Sequence, residues 1–175
     1  MVKYLIKEEY GVEDAGAAKG FARGERREDY ADPWRETGNV VLIGLPGSGR
    51  SELARLLAGR TDKAVLTPPD ARTAVEALQG QGAIIVLDDP LVDDPEVQPL
   101  VHGAGKVFYL MADTRLLSDR VAEREGLEDA EALWRRLSAR LAEVEPTFYG
   151  VLHFILQATQ RPEELVDDAL KKIGY

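Results

Sequence analysis

The strongest chemical signal in the chain lies in the segment from Gly44 to Ser51, read Gly-Leu-Pro-Gly-Ser-Gly-Arg-Ser. Gly44, Gly47 and Gly49 allow backbone angles and a close approach that a side chain would block. The amides of such a loop, with those of a following helix, make a concavity that attracts anions. Pro46 and Ser48 complete the loop, Ser51 brings a hydroxyl suited to Mg2+, and Glu52 starts the helix. Glycines at this spacing, between an apolar run and a helical pattern, predict a phosphate loop. The cofactors expected are ATP or ADP with Mg2+.

Arg50 stands where such loops carry a lysine. Its guanidinium keeps the charge and can clamp phosphate oxygens with two donors, but it is longer and planar. Retained binding with impaired transfer is the expectation. Further on, an apolar run ends in Asp88-Asp89-Pro90. A carboxylate at the end of a strand near a phosphate loop can orient Mg2+, and Asp88 comes first after the run. The alternative is that Asp88 caps a turn begun by Asp89 and Pro90. Asp70 and Asp89 are both candidates for a general base, and the sequence does not choose between them.

The elements that must hold these residues follow from periodicity. Residues 40–43, 64–66, 83–87, 107–110 and 151–156 read as strands, the first and third as continuous apolar runs buried on both faces. Between them lie helical patterns: residues 52–58 with Gly59 as a stop, a helix opened by Pro69 and running to Leu78, and one capped by Asp113 and running to Arg124. Another runs from Glu128 to Val144, where Pro146 is expected to break it, and a last one opens at Pro162. Five strands alternating with helices specify an α/β domain with a parallel sheet over residues 39–175. Residues 1–38, rich in Gly, Ala and charge, read as an N-terminal arm, partly extended or disordered. Tyr4, Leu5 and Ile6 suit an edge strand, and Tyr30, Pro33 and Trp34 suit anchoring contacts. A protein partner, or self-association, is expected through the arm.

Composition narrows the rest. The chain has 175 residues, enough for one full core, with a formal net charge of −9 that argues against nucleic-acid binding. The basic cluster from Arg23 to Arg27 is interleaved with Glu25, Glu28 and Asp29, as a solvated face would be. There is no cysteine, so no disulfide, and a cytoplasmic location is expected. His102 and His153 lie in no metal-ligand spacing. No apolar run approaches a membrane span, and the N-terminus does not read as a signal peptide.

Three stretches resemble shikimate kinases, small phosphate-loop kinases that phosphorylate a hydroxyl of shikimate with ATP. They are residues 39–51, the run from Lys106 to Val121, and Glu145-Pro-Thr-Phe-Tyr149 followed by Arg161-Pro-Glu-Glu-Leu-Val166. The resemblance implies a three-layer α/β/α fold with a five-stranded parallel sheet in the order 2-3-1-4-5. It also implies that Arg120 lies near the adenine and that Arg124 is a lid arginine steadying the transferred phosphoryl group; the reading from charge alone pairs these arginines with Glu123, Glu125 or Glu128.

The departures from that family fall on the acceptor side. Thr67-Pro-Pro-Asp70 replaces the family's paired aspartates, and residues 67–82 leave room for one short helix and no substrate-binding insert. Asp88-Asp89-Pro90 replaces a run of glycines, Val144 replaces a substrate arginine, and Glu125-Gly-Leu-Glu128 replaces the lid's Arg-Pro. Two readings result. One is an ATP-dependent small-molecule kinase whose acceptor is not shikimate and is otherwise unknown. The other is a catalytically inactive nucleotide-binding or protein-interaction module.

Overall fold

In the computed structural model, residues 36–174 are described. They form five parallel strands: β1 (Val40–Ile43), β2 (Ala64–Leu66), β3 (Ala83–Val86), β4 (Lys106–Met111) and β5 (Phe154–Gln157). The sheet order is β2-β3-β1-β4-β5, the 2-3-1-4-5 arrangement expected. Val41 pairs with Ile85 on one side and Val107 on the other, so β1 is central. Alternation then sends successive side chains to opposite faces. Val41, Ile43, Ile85 and Tyr109 enter one core, while Val40, Leu42, Ile84 and Phe108 enter the other.

Helices cover both faces. Helices α1 (Arg50–Thr61) and α7 (Pro162–Ile173) pack on the second core through Leu53, Leu57, Leu165 and Ala169. The first core is closed by α2 (Ala71–Gln79), the short helices α3 (Asp89–Val92) and α4 (Gln98–Val101), and the pair α5 (Thr114–Glu125) and α6 (Ala130–Val151).

Several expected boundaries move. Helix α1 runs through Gly59 to Thr61, because Leu53 and Leu57 are buried and hold it; the stop comes at Asp62, in a left-handed conformation with φ 56°. Pro69 lies outside α2, which begins after Asp70. The Asp70 side chain accepts the Thr73 N–H at 2.9 Å, a stronger start signal than proline two positions earlier. Pro146 does not end α6. A proline inside a helix costs about 3 kcal/mol. Val144, Phe148 and Val151 flank it and are buried, and Phe148 packs its ring 4.9 Å from that of Tyr109. Burial of such side chains contributes roughly 1.5–3 kcal/mol each, which outweighs the proline. Because the helix continues, β5 starts at Phe154 rather than residue 151.

At the N-terminal edge of the sheet, Asn39 is 2% exposed and ties three strand entrances together. Its amide donates to the carbonyls of Gly80 and Ala104 and accepts the Ala83 N–H. Thr37, inside the expected arm, donates to the Ala104 carbonyl at 2.6 Å. The expectations for Tyr4, Leu5, Ile6, Tyr30, Pro33 and Trp34, and for the basic run from Arg23 to Arg27, lie outside the described residues.

Candidate functional site

The loop leaves β1 after Ile43 and enters α1 at Arg50, at the carboxyl end of a central strand, where α/β sheets form their crevices. Gly44 is buried, with the Leu110 carbonyl only 2.9 Å from where a Cβ would sit; at Gly47 the Leu117 carbonyl is at 2.8 Å. Gly49 differs: φ is 89°, yet a Cβ there would meet nothing within 4 Å. The first two glycines are dictated by packing and the third by open space above the loop. No side chain caps α1, so the N–H groups of its first turn are left for an outside acceptor. The Ser48 hydroxyl, buried and without a hydrogen-bond partner among the described residues, is a further donor that a phosphate oxygen would satisfy.

A cleft of about 840 Å³ opens over this loop. Pro46, Gly47, Ser48, Gly49, Arg50, Ser51, Glu52, Asp88, Arg120 and Arg124 all line it, so the structure gathers these sequence-selected residues around one space; Gly44 lies behind it. Glu125, Ala158, Gln160, Pro162 and Leu165 complete the wall. Gln160 carries no motif and becomes visible only when the β5–α7 turn folds beside the loop.

The side chains take particular roles. Arg120 donates to the Gly47 carbonyl at 3.2 Å and to the Ala158 carbonyl at 2.9 Å, bridging the loop to the segment after β5. It pairs with none of the nearby glutamates that charge alone suggested. Arg124 pairs with Glu125 at 3.3 Å on the open cleft wall. Arg50 borders the cleft but is only 8% exposed. One of its nitrogens sits 3.0 Å from Asp88 Oδ1 and another donates to the Leu87 carbonyl. Burial pushes the Arg50 guanidinium below its ordinary value, while Asp88 and then Asp89 pull it back.

The neighbouring Asp89 also borders the cleft, but its carboxylate is taken by α6. Its carboxylate is 2.6 Å from Arg140 Nε on α6, and Arg140 also reaches the Asp89 carbonyl, Asp93 and Glu143. The Asp89 side chain is 9% exposed. Hydrogen bonding to Asp89 is the largest influence holding the Arg140 guanidinium above its ordinary value. Arg140 escaped the sequence reading because an arginine on a helix gives no signal until the partner strand end is brought to it. Of the two candidate bases, Asp89 is held by Arg140 and Asp70 by Thr73. Val144 is fully buried in the first core.

The stretch expected as a lid is a turn of residues 126–129 between α5 and α6. Gly126 takes φ 65° and its N–H closes on the Ala122 carbonyl; Asp129 caps α6 through the Ala132 N–H at 2.9 Å. The Arg115 guanidinium lies 4.0 Å from the centre of the Trp134 ring and 2.8 Å from Glu131, and Thr114 bonds Ser138 at 2.8 Å. These contacts staple the two helices into a hairpin.

Among the described residues no three His, Asp or Glu side chains converge on a metal-sized site. A Mg2+ ion at a phosphate loop needs less: one hydroxyl, one carboxylate, phosphate oxygens and water. Ser51 and Asp88, both exposed on the cleft, fit that donor set. His102 and His153, far apart in sequence, stack with ring centres 4.2 Å apart; His102 Nδ1 lies 3.2 Å from the Val151 carbonyl and His153 Nδ1 accepts the Val107 N–H at 3.0 Å. No described helix is long and apolar enough to cross a membrane.

No protein-family model matches the chain. It is 29% identical over 105 residues to shikimate kinase 2 of Pectobacterium carotovorum, covering 57% of this chain and 61% of that protein. It is 30% identical over 118 residues to shikimate kinase 2 of Yersinia enterocolitica, covering 63% and 61%. The matched stretch thus spans about three fifths of these curated relatives. Among solved structures it superposes on shikimate kinase from Acinetobacter baumannii in complex with shikimate, with a TM-score of 0.67 over 77% of this chain and 92% of the other, at 17% identity. In strand order, in the placement of its loop and in part of its sequence, the chain is similar to shikimate kinases.

Proposed function

We propose that the chain binds ATP or ADP, with Mg2+, in the cleft over residues 44–51, and that it is not a kinase of shikimate. The observation that carries the first half is the pairing of Gly49, open above the loop, with an uncapped helix N-terminus inside a large cleft. Phosphate oxygens meet the loop amides and the Ser48 hydroxyl. Arg120 fixes the loop against the wall where the base would lie. Ser51 and Asp88 hold Mg2+, whose charge offsets that of the phosphates when it is bound.

The second half rests on the acceptor side. A carboxylate acceptor is recognised by free arginines. Here Arg140 is saturated by Asp89, Asp93 and Glu143, and Val144 is core. Arg50 is paired with Asp88, and only a short turn joins α5 to α6. These features favour slow transfer, or binding without transfer, over an efficient kinase.

Calorimetric titration of ADP and ATP with Mg2+, followed by an assay of ADP release with and without shikimate, tests both halves. Binding without shikimate-stimulated turnover is the expected result. Gly49→Ala, which puts a methyl group where the phosphates would sit, abolishes the heat of binding. Absence of ADP and ATP binding to the unaltered protein would refute the first half, and shikimate-dependent turnover the second.

A further inference from the structure

We propose that Asp88 is a latch on Arg50: it holds the loop's one basic side chain at the end of β3, so that anion binding at the loop depends on a cation arriving with the anion to relieve Asp88. This rests on the nucleotide-binding reading and adds to it a rule for which form of the ligand is accepted.

The geometry makes the pair unequal. Arg50 is the buried partner, its side chain 9% exposed, while Asp88 is 62% exposed on the cleft wall. The Leu87 carbonyl takes a further Arg50 donor, so the guanidinium is anchored at two points on the strand end. An approaching phosphate therefore meets the carboxylate of the pair before the cation. The cleft as a whole does not compensate: Arg50, Arg120 and Arg124 face Glu52, Asp88, Asp89 and Glu125. Of those arginines, Arg120 is spent on two carbonyls and Arg124 is paired with Glu125.

A metal-free nucleotide must then either leave Arg50 latched and sit beside an exposed carboxylate, or draw Arg50 away and leave Asp88 unpaired next to the phosphates. Both are unfavourable because like charges at short range repel. Mg2+ removes the conflict, since Arg50 can exchange a carboxylate for a phosphate oxygen while Asp88 exchanges a guanidinium for the metal. Every charge then keeps an opposite neighbour. Asp88 therefore sets specificity for the Mg2+ complex over the free nucleotide.

The test is ADP titration by calorimetry in EDTA and in Mg2+, with the unaltered protein, Asp88→Asn, Arg50→Gln and the double variant. In EDTA, Asp88→Asn is expected to bind ADP about tenfold tighter than the unaltered protein, and to gain less from Mg2+. In the Arg50→Gln background the gain from the same substitution is expected to be clearly smaller, because only the repulsion by Asp88 is removed and no cation is released to the phosphates. An equal gain in both backgrounds would mean simple repulsion and overturn the latch, as would no gain at all, or an equal Mg2+ effect in the unaltered protein and Asp88→Asn. If no protein binds ADP even with Mg2+, the nucleotide reading fails and the latch with it. Thermal unfolding checks each variant, and Asp88→Ser, which also lacks the charge, replaces Asp88→Asn if that variant does not fold.

Discussion

The two halves of the cleft have diverged to different degrees. On the nucleotide side, β1, the glycines of the loop, α1 and the Arg120 bridge keep an open cavity with unpaired donors facing it. On the acceptor side, polar groups are turned on one another. Asp89 neutralises Arg140, Asp93 accepts from Thr147 at 3.1 Å, and Asp70 caps its own helix. Adjacent residues at the end of β3 mark the boundary: Asp88 is exposed and faces the loop, Asp89 is buried and faces α6. A ligand site needs polar groups whose partners are missing, whereas a stable interior needs them satisfied. By that criterion one half has the character of a binding site and the other that of a structural interior.

The sharpest way to break this comparison is to restore what the acceptor side lacks. Val144→Arg places an arginine in the middle of that side. If the region were only a site short of one residue, the change would be tolerated and would create affinity for carboxylates. Val144 is 0% exposed among apolar neighbours, so the guanidinium would be buried without a partner. The expected cost is on the order of 5 kcal/mol, comparable with a whole domain's stability. Urea unfolding should show a collapse of the midpoint, and an unchanged midpoint would refute the claim that this side is core.

A smaller effect is expected at Arg140. Arg140→Ala strips the partner from a carboxylate that is 9% exposed. Breaking such a pair costs about 3 kcal/mol, reduced here because Arg140 itself is partly open to solvent. The unfolding midpoint should fall clearly, while ADP affinity stays nearly constant because the pair lies on the acceptor side. Loss of ADP binding with an unchanged midpoint would reverse the assignment of the two halves.

The difference between the halves also explains what could be read from the chain alone. The loop was legible because glycine spacing encodes backbone geometry locally, the five strands because of their apolar runs, and their order because of a family resemblance alone. The Arg140–Asp89 pair spans 51 positions in sequence and leaves no local trace. Pro146 misled for a related reason: helix-breaking is a local property, and the packing of Val144 and Phe148 that overrides it is not. Arg50 was recognised as an unusual loop residue, but its capture by Asp88 depends on β3 lying next to β1, with Leu42 opposite Val86.

The smallest effect concerns Asp70, which is used as a helix cap. Its carboxylate accepts both the Thr73 N–H at 2.9 Å and the Thr73 hydroxyl at 2.8 Å. The backbone bond from Thr73, then the side-chain bond, holds the carboxyl below its ordinary value. A carboxyl whose pKa is lower folded than unfolded stabilises the fold fully above the unfolded pKa, near 4. That stabilisation is lost as pH falls through the lower, folded value. Asp70→Asn keeps an acceptor for the Thr73 N–H but cannot ionise. The melting temperature of the unaltered protein should therefore fall slightly more than that of Asp70→Asn between pH 6 and pH 3. Identical pH profiles would mean that the Asp70 charge does not favour the cap, and would reopen Asp70 as a group held ready for a ligand.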